Sequence, residues 1–139
     1  MKSIWTTLSL FVLCTFLASA DPEPFLKSAA MPFYPPLARQ ARVQGVVNLR
    51  IVVAQDGTVT IDSASGHPLL RDTTAEYVKT WKFGWQQPCA CTVKRDVSFV
   101  YKISDSKAES DSPIAIVKWF GSSKVEVETN LPVEAILTN

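Results

Sequence analysis

The sequence predicts an α+β fold, in which a small antiparallel β-sheet carries two helices on one face and is followed by a strand-like C-terminal extension. Two alternating segments joined by Asp56-Gly57 predict a β-hairpin, because this dipeptide tolerates the positive backbone angles of a tight turn. An apolar stripe with helical spacing begins at Pro68, and a third alternating segment begins at Val93. With 139 residues, 47% of them apolar, the chain is long enough for one hydrophobic core.

Residues 1–20 have the pattern of an export signal peptide. Lys2 gives a positive start, residues 4–17 are largely apolar, and the small residues 18–20 are typical of a cleavage site. We therefore expect cleavage after Ala20 and a periplasmic or secreted protein. The alternative is an uncleaved inner-membrane anchor facing the periplasm, because the apolar run is near the length of a membrane span.

The charge balance argues against nucleic acid as a partner. The chain has 14 basic and 13 acidic residues, and loss of Lys2 with the signal would leave 13 of each. A protein that tracks a phosphate backbone needs a concentrated basic face, and the sequence has no basic run of that kind. Contact with a membrane is expected only if the N-terminal segment stays attached.

The next two segments are expected to be a lead-in and a short helix. Residues 21–33 contain three prolines and no periodicity, which predicts an extended lead-in without a secondary-structure element. Tyr34–Gly45 predicts a helix that begins with two prolines and stops at its glycine. The apolar face of this helix would consist of Leu37, Ala38 and Ala41.

The middle of the chain predicts the hairpin and a second helix. Val46–Ala54 alternates, and after Asp56-Gly57 the alternation resumes at Val59. The core side chains of the first strand would be Val47, Leu49, Ile51 and Val53. The stripe of the second helix would be Leu70, Thr74, Tyr77, Val78 and Trp81, which can cover the hairpin.

The last part of the chain predicts further strands. Val93–Ile103 alternates as a third strand. Residues 104–139 then form a polar bridge and a hairpin-like extension, with strand patterns at residues 114–120 and 124–129. Pro132 makes the final apolar segment an edge segment or a docked tail.

The order helix, hairpin, helix, strand resembles the C-terminal domain of the TonB family of energy transducers. Tyr34-Pro35 followed by Gly45 is similar to the family's opening helix and glycine stop, and Asp56-Gly57 to its hairpin. Trp81 and Phe83 resemble the aromatic exit of its second helix. The resemblance covers about residues 31–103, so we expect the domain at residues 34–103.

The resemblance implies a periplasmic protein-binding module linked to transport across the envelope. Its partner would be a short extended segment, the TonB box, of an outer-membrane receptor, or a similar segment of another envelope protein, which adds a strand to a sheet edge. The corresponding edge here would be Val93–Ile103. Its partner-contacting residues would be Lys94, Asp96, Ser98, Val100 and Lys102.

Three departures from the family pattern keep an alternative function open. Residues 21–33 are too short to carry the domain from the inner membrane across a periplasm, and Met31 stands where well-studied members place a polar contact residue. The extension could also pair with the third strand and occupy its edge. The alternative is a standalone envelope structural or assembly domain without energy transduction, which pairs with another scaffold or with itself as a homodimer.

The remaining candidate residues predict no catalysis. Cys89 and Cys91 would be the only cysteines after signal cleavage, and we expect a local disulfide before the third strand, with pairing to another chain or free thiols as alternatives. His67, the single histidine, is expected to cap a helix or face solvent. Without a catalytic or ligand set, we expect no enzyme, no cofactor and no metal. Trp85 is expected to be partly exposed, and Trp119 poses the same question.

Overall fold

The computed structural model describes residues 22–104, 115–121 and 123–130. The expected signal, most of the polar bridge and the tail around Pro132 lie outside these residues. In chain order the described elements are β1 Pro24–Ser28, α1 Pro36–Gln40, β2 Gly45–Val53, β3 Val59–Ser65, α2 Pro68–Val78, β4 Lys82–Trp85, β5 Val93–Ser104, β6 Ala115–Phe120 and β7 Lys124–Asn130.

The main sheet has five strands in the order β3-β2-β5-β7-β6, and the hairpin that the sequence predicts lies at one end of it. β2 and β3 are antiparallel and are joined through Asp56-Gly57, as expected. The register of this pair shifts between Arg50 and Ile51, which makes Asp62 the extra residue of a bulge in β3. All four predicted core residues of β2 are buried, namely Val47, Leu49, Ile51 and Val53.

The three strands of the predicted sheet, β3, β2 and β5, are antiparallel as expected, and the whole sheet is mixed because the C-terminal extension adds a parallel strand. β6 and β7 form the expected antiparallel hairpin, but β7 runs parallel to β5, with Ser98–Ser104 opposite Lys124–Asn130. A parallel neighbour requires a crossover connection, and here the connection includes β6. This arrangement buries Val125 and Val127 of β7 in the core, which explains why the chain returns beside β5.

The second helix follows the prediction closely, whereas the first is shorter. α2 buries Leu70, Thr74 and Val78 on the face that covers β2 and β3. α1 spans only Pro36–Gln40, because the chain leaves the helical conformation after its C-cap Ala41, where Arg42 has a φ of 55°. Gly45 begins β2 instead of ending a helix. The predicted apolar face of α1 is also wrong at Leu37, which is 65% exposed, and at the exposed Ala41, whereas Ala38 is buried.

The expectation that the lead-in forms no element is wrong for β1. This strand pairs antiparallel with β4, a strand that the sequence reasoning did not predict, and places Leu26 opposite Phe83. Pro24 is the first residue of β1, a position at which the missing N–H of proline is tolerated. The two strands form a separate ribbon, so the lead-in is part of the folded domain.

Aromatic side chains join these layers around Trp81, which is fully buried just after α2. Its ring lies 5.8 Å from Phe99 of β5 and 5.9 Å from Tyr77 of α2. It also lies 5.8 Å from Trp119 of β6. The C-terminal hairpin therefore packs against the same aromatic centre as the helices.

Candidate functional site

The hairpin motif Asp56-Gly57 has a structural role in this fold. Gly57 has a φ of 83°, and its carbonyl accepts a hydrogen bond of 2.9 Å from the N–H of Phe83. A Cβ at Gly57 would lie 2.0 Å from the carbonyl oxygen of Phe83, so glycine is required there. Asp56 accepts from the hydroxyl and N–H of Thr58, and the hydroxyl bond is the main cause that lowers the Asp56 pKa.

The opening motif is structural as well. The Tyr34 hydroxyl donates to the carbonyl of Val43, and its ring meets Tyr101 edge-on at 5.3 Å. Burial raises the pKa of Tyr34 to about 12. The Pro35 carbonyl accepts the first hydrogen bond of α1, and Gly45 begins β2 opposite Tyr101. Tyr34, Pro35 and Gly45 therefore hold α1 and the segment that follows it against β5.

The expectation that β5 is an exposed edge is wrong over Ser98–Ser104, whereas Val93–Val97 has no described strand on the side away from β2. β5 pairs with β2 on one side, and with β7 on the other side over Ser98–Ser104. The extra strand comes from residues beyond the segment that resembles the family, and periodicity could not show where it would pair. Because β7 already pairs with this stretch, a partner strand cannot pair with its main chain there.

Four of the five side chains proposed as partner contacts on β5 form hydrogen bonds or ion pairs on or near the helix-free face of the sheet. Their bonds are Lys94 to Asp62 at 3.4 Å, Asp96 to Arg50 at 2.7 Å, Ser98 to Asn48 at 2.7 Å and Lys102 to Glu126 at 3.1 Å, while Val100 is half-buried. The Arg50 hydrogen bond lowers the pKa of Asp96. Such pairs join side chains of neighbouring strands, and at an exposed surface they contribute little to the free energy of unfolding.

The cysteine and histidine positions have local structural roles. The Sγ atoms of Cys89 and Cys91 are in contact with each other, and the two Cα atoms lie 5.2 Å apart. This spacing suits the predicted disulfide. His67 is the N-cap of α2, and its Nδ1 accepts from the N–H of Leu69 at 3.3 Å, which confirms the capping interpretation. Within the described ranges, no three His, Cys, Asp or Glu side chains come together as a metal site.

No helix in the described part of the chain is long and apolar enough to cross a membrane. Among the described residues, the open edges of the main sheet are its two outer strands and, on the side of β5 away from β2, the stretch Val93–Val97.

β3 and β6 are these outer strands, and neither pairs with a second described strand. β3 is a protected edge, because its bulge at Asp62 and its small exposed residues 63–65 discourage pairing. β6 pairs with β7 in unbroken register and exposes Ile116 and Phe120, about half of each side chain. Of the two, β6 has the surface better suited to a partner.

A groove lies beside Trp119 of β6. It has a volume of about 450 Å³ and is lined by Leu26–Met31 together with Trp119. Trp119 is 37% exposed and Trp85 is half-buried, so both tryptophans are partly exposed, as expected for Trp85. Met31 and Trp119 each stand out in the sequence, but nothing in the sequence pattern indicates that they share one groove.

Comparison with known proteins identifies the family. Residues 30–103 match the family described as the Gram-negative bacterial TonB protein C-terminal. No functionally curated protein matches the chain significantly. Since the family match covers more than half of the 139 residues, this protein belongs to the TonB C-terminal domain family, whose domains interact with other proteins of the cell envelope.

Proposed function

We propose that this domain binds an extended segment of another envelope protein by strand addition to the outer side of β6, and that this binding serves transport across the envelope. The partner would be a receptor segment similar to a TonB box. The observation that carries the proposal is the unbroken, apolar outer strand β6. In this mode, main-chain hydrogen bonds supply affinity and alternate side chains supply selectivity.

The position of the β6–β7 hairpin explains why the proposed binding edge is β6 and not β5, where the sequence predicts it. β7 occupies β5 over Ser98–Ser104 and buries Val125 and Val127, so a partner would have to break core packing to reach this stretch of β5. The hairpin carries the sheet two strands further and ends it at β6. A partner segment can pair there without displacing any described residue.

A second function is supported by the same hairpin. By closing β5 with its own strand, the domain could serve as an envelope assembly domain without energy transduction. In that case its contacts would be with itself or with an envelope scaffold rather than with receptors. The identity of the segment bound at β6 distinguishes the two functions.

Site-specific photo-cross-linking in the native envelope tests the proposal. The photoreactive residue p-benzoylphenylalanine is placed at Ile116 of β6 or, as the matched control, at Val46 of β2. Both side chains are 48% exposed, but Val46 lies on a strand with neighbours on both sides. Mass spectrometry then identifies the partner and the residues that are joined to each position.

We expect the probe at Ile116 to be joined to one extended segment of an envelope receptor, and the probe at Val46 to give no such product. Products with a scaffold protein or a second copy of the chain would support the assembly function instead. Equal labelling from both positions, or labelling from Val46 alone, would contradict strand addition at β6.

A further inference from the structure

The loop between β4 and β5 holds a cysteine pair that the strand pairing of the fold does not require. Cys89 and Cys91 both lie in this loop, with Ala90 alone between them. β4 is held by its pairing with β1, and β5 by its pairing with β2. A disulfide that closes a very short loop restricts the unfolded chain only slightly. The bridge therefore contributes little to the stability of the domain.

Both cysteines are accessible in the folded protein. Each is half-buried, and each lines a different surface groove. The groove at Cys89 has a volume of about 510 Å³ and the groove at Cys91 about 750 Å³, and Pro22 and Glu23 line both. A thiol can therefore reach the bridge from either side without unfolding of the chain.

The groove at Cys91 favours the approach of a thiolate. It is the larger of the two, and its lining includes Lys94 and Arg95 but a single carboxylate, Glu23. Arg95 donates to Glu23 at 2.7 Å, and the Lys94 amino group lies 3.4 Å from Asp62. The Lys94 side chain is still 65% exposed, so its charge attracts an anion that enters the groove. The nucleophile in disulfide exchange is such an anion.

The direction of attack assigns the two sulfurs. Exchange begins when a thiolate attacks one sulfur of a disulfide and forms a mixed disulfide. The thiolate approaches from the side opposite to the bond that breaks. Because Cys89 does not line the groove at Cys91, a thiolate in this groove meets Cys91 first and has Cys89 as its leaving group.

We infer that Cys89–Cys91 is a thiol–disulfide exchange site that oxidises a dithiol of another envelope protein. The first substrate thiolate attacks Sγ of Cys91, the S–S bond breaks, and its electron pair leaves on Sγ of Cys89. The second substrate thiolate then attacks the substrate sulfur of the mixed disulfide and releases Cys91 as a thiolate. The substrate becomes a disulfide, and its two electrons and, through solvent, its two thiol protons pass to the cysteine pair. This exchange does not depend on strand addition at β6.

A glutathione buffer tests whether the bridge exchanges or is structural. The oxidised full chain is equilibrated with about 5 mM reduced and about 1 mM oxidised glutathione, a mixture that leaves structural disulfides intact. Acid quenching, N-ethylmaleimide and mass spectrometry of the peptide that carries both cysteines give the reduced fraction. We expect at least about half of the bridges to be reduced while circular dichroism stays that of the folded chain. A bridge that remains oxidised would overturn the inference.

Early time points of the same reaction identify the attacked sulfur. Glutathione remains on the cysteine that was attacked, and N-ethylmaleimide marks the cysteine that left. We expect glutathione on Cys91 at least about fivefold more often than on Cys89. Equal labelling, or labelling mainly of Cys89, would overturn the assignment of the attack to the groove at Cys91.

Two lysine variants test the role of the groove. Lys94 and Lys102 are both exposed, ion-paired residues of β5, but only Lys94 lines the groove. Lys94→Gln should slow the attack of glutathione about threefold at low salt, whereas Lys102→Gln should leave the rate unchanged. Equal rates in the two variants would contradict attack from this side.

Removal of both thiols separates exchange from a structural role. The double variant Cys89→Ser with Cys91→Ser should unfold at the same urea concentration as the oxidised chain, because the bridge closes so short a loop. A clear loss of stability would show that the fold needs the bridge and would overturn the inference. Cross-linking from Ile116 should be the same in this variant, so that failure of strand addition at β6 is recognised separately.

Discussion

Gly57, Tyr34 and Trp81 illustrate how motif residues act in this protein. Each resembles a family position in sequence, and each has a packing role: a backbone approach at Gly57, a buried hydroxyl at Tyr34, and an aromatic centre at Trp81. None carries chemistry that a partner would need. The residues that carry the family resemblance therefore stabilise the fold, and other residues form the recognition surface.

Gly57→Ala should lower the free energy of unfolding by about 3 kcal/mol, because a Cβ there adds both a positive-φ strain and a clash with the Phe83 carbonyl. Urea denaturation measures the change. The control is Gly121→Ala, where φ is 68° and no atom lies within 4 Å, so the strain alone should cost about 1 kcal/mol. Equal losses in both variants would contradict the close contact.

Tyr34 and Tyr101 should make the protein sensitive to alkali. Burial raises the pKa of each hydroxyl to about 12, above the ordinary value of 10.0, so the protonated form is favoured in the folded state. Their contribution is fully present below pH 10 and is lost as the pH rises from 10 to 12, by at most about 1.4 kcal/mol per pH unit for each tyrosine.

Urea denaturation at pH 9 and pH 11 measures this loss. Tyr101→Phe should show a smaller decrease than the unaltered chain, because one of the two groups is removed. If the free energy of unfolding were the same at the two pH values, the hydroxyls would not be buried as described.

Among the elements, the β6–β7 hairpin has the largest effect on what the domain can do. It closes β5 with a parallel strand, contributes Val125 and Val127 to the core, and packs Trp119 on Trp81. Arg39 of α1 also donates to the carbonyl of Asn130 at the end of β7. The hairpin is thus integral to the fold, and it makes β6 the outer strand at its end of the sheet.

Val127→Ala should cost about 2 kcal/mol of unfolding free energy, because it removes two methyl groups from a fully buried site. Ile116→Ala on the exposed face of β6 serves as the control and should cost less than about 0.5 kcal/mol. Thermal or urea denaturation compares the two. A negligible effect at Val127 would mean that the hairpin is not packed in the core.

Three features of the whole molecule are those expected of an exported envelope domain. They are an export-like N-terminus, a cysteine pair placed for a disulfide, and membership of a family of envelope domains. An exported domain meets an oxidising compartment, in which a local disulfide persists. Its expected surroundings are therefore those in which a strand from another envelope protein is available to β6.

The protein isolated from the envelope should begin at Asp21 and carry a Cys89–Cys91 bridge. Intact mass and N-terminal sequencing check the cleavage, and alkylation with iodoacetamide before and after reduction checks the bridge. We expect no modification before reduction and modification of both cysteines after it. An N-terminus at Met1 would indicate an anchored protein, and alkylation without reduction would show free thiols.

Local patterns were enough to predict several elements. The β2–β3 hairpin, α2, β5 and the β6–β7 hairpin all follow from alternation, helical spacing and turn residues, which act over a few neighbouring positions. The strand β1 was missed because Pro24–Ser28 shows no periodicity and is held only by its pairing with β4. Residues of the groove, Met31 and Trp119, are far apart in the chain, so no pattern could join them.

The sequence by itself determined the α+β class, the family, and most of the elements, because each of these depends on local propensity and on the order of motifs. Only the tertiary structure decided which strand is an edge. That property depends on long-range pairing: β7 pairs with β5, with the buried Val125 and Val127 opposite Phe99 and Tyr101. The candidate site consequently moved from β5 to β6.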